Sequence, residues 1–99
     1  MRMMMKVQIP TAAGSAAIQN GSLPQVVGQV LQATNAEAAY FTAEDGMRTG
    51  LFFFEMQDST VIPSVAEPFF GGLEAKITFA PVMNVDEMRA GVERAMGAA

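Results

Sequence analysis

The sequence contains neither cysteine nor histidine. Disulfides, thiolate nucleophiles, zinc fingers and iron–sulfur clusters are therefore excluded. Catalytic triads with a histidine base and histidine-ligated haem are excluded for the same reason. A metal ion would need oxygen ligands, and the ten acidic residues are scattered without the spacing of a calcium-binding loop. We therefore expect no bound metal and no cofactor.

Charged residues are also scarce, at 16% of the chain against about 25% in an ordinary soluble domain. Six basic and ten acidic residues give a net charge of −4, and the sequence shows no basic stripe of the kind that binds nucleic acid. It also lacks a run of about 18 apolar residues and a signal-peptide pattern. We predict a cytoplasmic protein that binds neither nucleic acid nor membrane.

Hydrophobic residues, by contrast, make up 51% of the 99 residues. That proportion excludes a disordered chain and provides for one hydrophobic core. The length leaves no room for a second core, so we expect residues 1–99 to form a single domain.

The hydrophobic pattern predicts the element order βαββαβα. Alternation and turn signals place strands at 2–9, 38–43, 48–56 and 75–83, and helices at 12–19 with 22–34, at 60–70 and from residue 84. Asp45-Gly46 predicts a hairpin between the second and third strands. The first six elements give an α+β, ferredoxin-like sheet with helices on one face, its first and third strands being central and the fourth beside the first. We expect the closing helix to pack on the outside of this domain, and Pro68 to kink or end the helix before it.

Alternation within the strands assigns residues to the two faces of the sheet. The helix-covered face takes an apolar set: Met3, Met5, Val7, Ile9, Ala39, Phe41, Phe52, Phe54, Ile77 and Phe79. The other face, here called the open face, takes a mixed set: Met4, Lys6, Gln8, Tyr40, Thr42, Leu51, Phe53, Glu55, Lys76, Thr78 and Ala80. The open face is too apolar to be left in water, so we predict that it packs against the same face of a second copy as a homodimer.

Five residues of the open face are candidates for ligand binding: Lys6, Tyr40, Phe53, Glu55 and Lys76. The strand order places Lys6, Glu55 and Lys76 near one another, either as an ion-pair cluster that neutralises itself or as a site for an anionic group. Tyr40 is the only tyrosine, and it is either a hydrogen-bonding group at the rim of a cavity or an ordinary sheet residue.

Glu67, Glu55 and Tyr40 are the candidates for a catalytic role. Glu67 stands in the apolar stretch AEPFF just before Pro68, where burial would make it a general acid or base. Alternatively, its carboxylate accepts hydrogen bonds from backbone amides that a kink at Pro68 frees. In an enzyme, Glu67 or Glu55 would be the base, while Tyr40 and either lysine would orient a substrate oxygen.

The pattern as a whole resembles the dimeric α/β-barrel superfamily, especially its short bacterial members that have no known activity. The segments that carry the resemblance are RMMMKVQIP at 2–10, EAAYFTAEDGMRTGLFFFEM at 37–56, AEPFFGGLEAKITFAPVMN at 66–84 and the closing helix from Val85. The resemblance implies two sheets closed face to face and a small-molecule cavity, often between the sheet and helices of each subunit. Because this chain has no tryptophan and no histidine, no catalytic residue of the superfamily's oxygenases or haem-degrading enzymes transfers to it.

Three functions are compatible with these features. The first is a small homodimer with an apolar pocket for a small hydrophobic or anionic ligand. The second is a cofactor-independent cyclase, isomerase or monooxygenase that acts on a small hydrophobic or polyketide-like substrate. The third is a regulatory module that binds a small ligand. Fold alone does not choose among them.

Overall fold

The computed structural model describes residues 1–98, in which four strands and four α-helices follow one another in the predicted order. The elements are β1 (Arg2–Ile9), α1 (Thr11–Gln19), α2 (Ser22–Thr34), β2 (Ala38–Glu44), β3 (Met47–Glu55), α3 (Val61–Leu73), β4 (Lys76–Pro81) and α4 (Val85–Glu93). A short helical segment, Arg94–Ala98, follows α4 and is broken at Gly97, whose φ is 122°.

The strands form one antiparallel sheet in the order β2-β3-β1-β4, which confirms the predicted strand order. β1 is central and pairs with β3 on one side and β4 on the other. The β2–β3 hairpin closes through Asp45 and Gly46, whose φ angles are 54° and 74°. Positive φ at both positions is the requirement of a type I′ turn, and Asp-Gly is one of the few pairs that adopts it at low cost.

The core lies between the sheet and helices α1, α2 and α3. Strands β1 and β3 contribute Met3, Met5, Val7, Ile9, Phe52 and Phe54, and the helices contribute Ala17, Val30, Val65, Phe69 and Leu73. Phe52 is 1% exposed, and its ring centroid lies 5.8 Å from that of Phe69. The assignment of the helix-covered face is therefore correct for the two central strands.

Phe41, which alternation also assigned to the core, is 59% exposed. It lies on the helix-covered side of edge strand β2, and its ring packs edge-to-face on that of Phe52 at 5.7 Å. Helices α1 and α2 contact β3, the next strand inward, so the helix layer leaves the outer part of β2 uncovered. Burial of Phe41 in the core of its own chain is a wrong prediction.

Helix α3 continues through Pro68 to Leu73, so the predicted end of the helix at Pro68 is wrong. A proline inside a helix removes one backbone hydrogen bond and costs about 3 kcal/mol. Burial of Val65, Ala66, Phe69 and Leu73 along one side of α3 offsets that cost.

Helix α4 projects from the domain instead of packing on it. All nine of its residues are exposed, and the molecule extends 55 Å along its longest axis against 27 and 18 Å along the others. Its start is fixed by a capping box, in which the Asn84 side chain accepts from the Glu87 amide and the Glu87 carboxylate accepts from the Asn84 amide, both at 2.8 Å. The expectation that the closing helix packs on the outside of its own domain is wrong.

Candidate functional site

The register of the sheet arranges the open face in rows that run across the strands. The apolar row is Ala38, Phe53, Met4 and Ala80; the mixed row is Tyr40, Leu51, Lys6 and Thr78; the polar row is Thr42, Thr49, Gln8 and Lys76. Glu55 and Arg2 are paired beyond the apolar row. All five predicted ligand residues therefore lie on the open face, opposite the core.

The apolar and mixed rows form a hydrophobic surface. The rings of Tyr40 and Phe53 pack edge-to-face with centroids 6.3 Å apart, and Leu51 and Met4 are half-buried beside them. Tyr40 is 64% exposed in the single chain. Such a surface is typical of protein–protein contacts and of ligand sites.

Side chains at the other end of the open face form a polar cluster. Lys6 Nζ lies 2.5 Å from Glu44 Oε1, and Gln8 Nε2 donates to the same oxygen at 3.3 Å. Gln8 and Thr49, although polar, are only 6% and 3% exposed. Thr49 donates from Oγ1 to the Met47 carbonyl oxygen at 3.1 Å. The cluster places the ion pair of Lys6 and Glu44 beside a nearly buried amide and hydroxyl.

Glu44 was not identified from the sequence, and its position corrects the predicted cluster of Lys6, Glu55 and Lys76. Glu55 lies opposite Arg2, four residues along β1 from Lys6, which is about 13 Å at the rise of a strand. Its carboxylate contacts the N-terminal ammonium of Met1 instead. Lys76 lies opposite Gln8 and is exposed.

The structure does not place Glu67 near the open face. It lies on α3 and is exposed, while its neighbours Val65 and Ala66 are buried. One residue along a helix is a rotation of about 100°, so Glu67 turns outward where Ala66 turns inward. The expected apolar environment of Glu67, and with it the basis for a general acid or base there, is wrong.

Arg2 forms a second charged group, which links the sheet to α4. Its Nε donates to Glu37 Oε1 at 3.0 Å, and its Nη1 donates to Glu87. The hydrogen bonds that Arg2 donates, to Glu87 first and to Glu37 second, raise the pKa of Arg2. The Asn84 amide first, and Arg2 second, lower the pKa of Glu87. This cluster connects the start of α4 to β1.

The start of α4 should loosen in acid because of Glu87. A carboxyl whose pKa is lowered by folding stabilises above its ordinary pKa, here 4.5, and loses that contribution as the pH falls through the folded value. We expect the Cα chemical shifts of α4 to move toward coil values below pH 4.5 in the native sequence. Glu87→Gln keeps an acceptor oxygen but no charge. In this variant the Cα chemical shifts of α4 should indicate less helix at neutral pH and should change little as the pH falls. Glu93→Gln, at the other end of α4, is the matched control and should follow the native curve; equal acid sensitivity of Glu87→Gln and the native protein would contradict the assignment.

Within residues 1–98 the single chain encloses no pocket. The space between sheet and helices, where the resemblance implies a cavity, is filled by core side chains such as Met5, Phe52 and Phe69. The described residues also contain no group of three acidic side chains that could hold a metal ion. No helix in this part of the chain is both long and apolar enough to span a membrane.

Sheet order and connections define a ferredoxin-like α+β fold with an added C-terminal helix, the fold class of the dimeric α/β barrels. No family model and no curated protein matches the chain. Among solved structures, it is similar to 5-chloro-2-hydroxyhydroquinone dehydrochlorinase (TftG) from Burkholderia phenoliruptrix in complex with 2,5-dihydroxybenzoquinone. The match has a TM-score of 0.64 at 13% identity and covers 88% of this chain and 98% of that one. At this identity the similarity shows the fold.

Proposed function

We propose that the protein is a homodimer which holds a small, partly hydrophobic anion between the open faces of its two copies. The observation that carries the proposal is the division of the open face into an apolar row and a polar row. Apolar rows packed on each other would provide the association energy, at roughly 25 cal/mol for each Å² of apolar surface removed from water. Polar rows brought together in the same dimer would line a pocket that neither chain forms alone.

The charges of the polar cluster favour an anionic group as the bound end of the ligand. Each chain supplies Lys6 and Lys76 against the single carboxylate of Glu44, so two copies leave a net positive charge between them. Gln8 and Thr49 add hydrogen-bonding groups, while Tyr40 and Phe53 provide an aromatic surface next to them. The complex of TftG holds 2,5-dihydroxybenzoquinone, a small oxygenated ring of the kind that positive and aromatic side chains would bind together.

Binding is proposed in preference to catalysis because the candidate catalytic residues are dispersed. Glu67 lies on α3, away from the open face, and Glu55 lies at the end of the sheet beside Met1. Only Tyr40 borders the proposed pocket. The dehydrochlorinase activity named for TftG therefore provides no residue pair to transfer to this chain.

Native mass spectrometry of freshly purified protein tests both parts of the proposal, and 2,5-dihydroxybenzoquinone serves as the probe in titrations. We expect a dimer and a saturable dissociation constant that rises about 10- to 100-fold in Lys6→Met, since a charge-assisted hydrogen bond contributes about 1.5–3 kcal/mol. Arg94→Met, exposed at the end of α4, is the matched control and should bind as the native protein does. Binding that is unchanged in Lys6→Met, or a dimer that takes up no probe, would contradict the proposed site.

A further inference from the structure

Helix α4 has an apolar stripe that nothing in its own chain covers. Val85, Met88 and Val92 follow one another at spacings of three and four residues, which places them on one side of the helix. They are 58%, 43% and 51% exposed. A helix of nine residues is only marginally stable alone in water, even with the capping box that begins α4. Burial of the stripe on another surface would supply the missing stabilisation.

The molecule has one further apolar side chain of the same kind at the opposite edge of the sheet. Phe41 on β2 is 59% exposed on the helix-covered side, where the helices leave most of its ring in solvent. Helix α4 continues from β4, and β2 and β4 are the two outer strands, three strand spacings or about 14 Å apart. The stripe and Phe41 therefore lie at opposite edges of one chain.

The symmetry of a face-to-face dimer determines which edges of the two copies meet. If the two-fold axis runs along the strands, β4 of one copy lies over β2 of the other, and each row faces its own counterpart. If the axis runs across the strands, β4 lies over β4, and rows of different polarity face each other. The first arrangement buries the apolar row, Met4 and Phe53 included, against itself. The division into rows therefore favours the axis along the strands, which brings α4 to the β2 edge of the second copy.

We propose that α4 of each copy crosses to the other and packs Val85, Met88 and Val92 against the exposed ring of Phe41 there. The inference rests on the homodimer proposed above. The size of the open face supports a second copy as the surface that α4 covers. Four strands at 4.8 Å and six paired residues at 3.3 Å give the open face a planar area of roughly 400 Å². Each partner of a standard interface buries roughly 800 Å² of accessible surface, so the dimer has room for a further contact. A nine-residue helix about 13 Å long and 10 Å wide adds to this area on both sides of the axis.

Thiol cross-linking tests directly whether α4 crosses to the other copy, because the native sequence has no cysteine. Met88→Cys and Phe41→Cys variants carrying different tags are mixed, allowed to exchange subunits and treated with a short bismaleimide. We expect a covalent heterodimer of the two variants and little product from either variant alone. Ala90→Cys, on the opposite side of α4 from Met88, is the matched control and should give at least about five-fold less product with Phe41→Cys.

Three other outcomes would contradict the proposed crossing of α4, and they can be told apart. A Met88→Cys variant that links efficiently to itself would place α4 beside α4, as the axis across the strands requires. A dimer in which Met88→Cys and Ala90→Cys link equally would mean that α4 does not dock, while the proposed dimer stands. A protein that is monomeric at every concentration tested would contradict both the proposed crossing of α4 and the proposed dimer. As an independent measurement, Val85, Met88 and Val92 changed together to serine should raise the dimer dissociation constant at least about 10-fold without altering the fold of the monomer.

Discussion

Phe53→Glu should convert the protein into a folded monomer. Phe53 lies in the apolar row, outside the core, so the substitution leaves the interior of each chain unchanged. In the proposed dimer, the new carboxylate would face its symmetry mate in an apolar interface, and an unpaired buried charge costs several kcal/mol. We expect the dimer dissociation constant to rise by at least about 1,000-fold, measured by sedimentation velocity, with an unchanged far-ultraviolet circular dichroism spectrum.

Phe70→Glu is the matched control for this substitution. Phe70 is also an exposed phenylalanine, at 44%, but it lies on α3, away from the open face. It should remain dimeric. If Phe70→Glu dissociates while Phe53→Glu stays dimeric, the contact between copies is on the helical side of the molecule and the proposed interface is wrong.

Phe52→Ala should have the largest effect on stability. Phe52 is adjacent to Phe53 in sequence but points to the other face, where it is 1% exposed and contacts Phe69 and Phe41. Removing a fully buried phenylalanine ring costs about 3–5 kcal/mol of unfolding free energy, a large share of what a domain of this size has.

The measurement is chemical denaturation in the Phe53→Glu background, because unfolding of a dimer is coupled to its dissociation and depends on concentration. Leu51→Ala in that background is the comparison, since Leu51 is half-buried on the open face, and it should cost about 1 kcal/mol or less. Equal losses at the two positions would contradict the assignment of the two faces.

The fold was predictable because local signals agree with one another along most of the chain. Alternation in RMMMKVQI, the Asp45-Gly46 turn and the apolar third strand each indicate the element that forms, and the order of elements leaves few sheet topologies. Where the prediction failed, packing decided the outcome. Pro68 stays inside α3 because the residues around it are buried, and α4 is amphipathic without having a surface in its own chain to cover.

The candidate site was predictable to the level of the face and no further. Strand parity places Lys6, Glu55 and Lys76 on the open face, but the level of each along the sheet depends on the register between strands, which parity does not determine. Lys6 pairs with Glu44 because β2 runs one residue beyond the predicted strand, to the turn itself. Continuing the alternation of Tyr40 and Thr42 by one more step places Glu44 on the open face.

In the proposed dimer two open faces pack against each other, and sedimentation equilibrium of the native protein at micromolar concentration is the decisive measurement. We expect a species of twice the chain mass of 10.5 kDa, which Phe53→Glu reduces to the mass of one chain. A native protein that sediments as a single 10.5 kDa chain would contradict it.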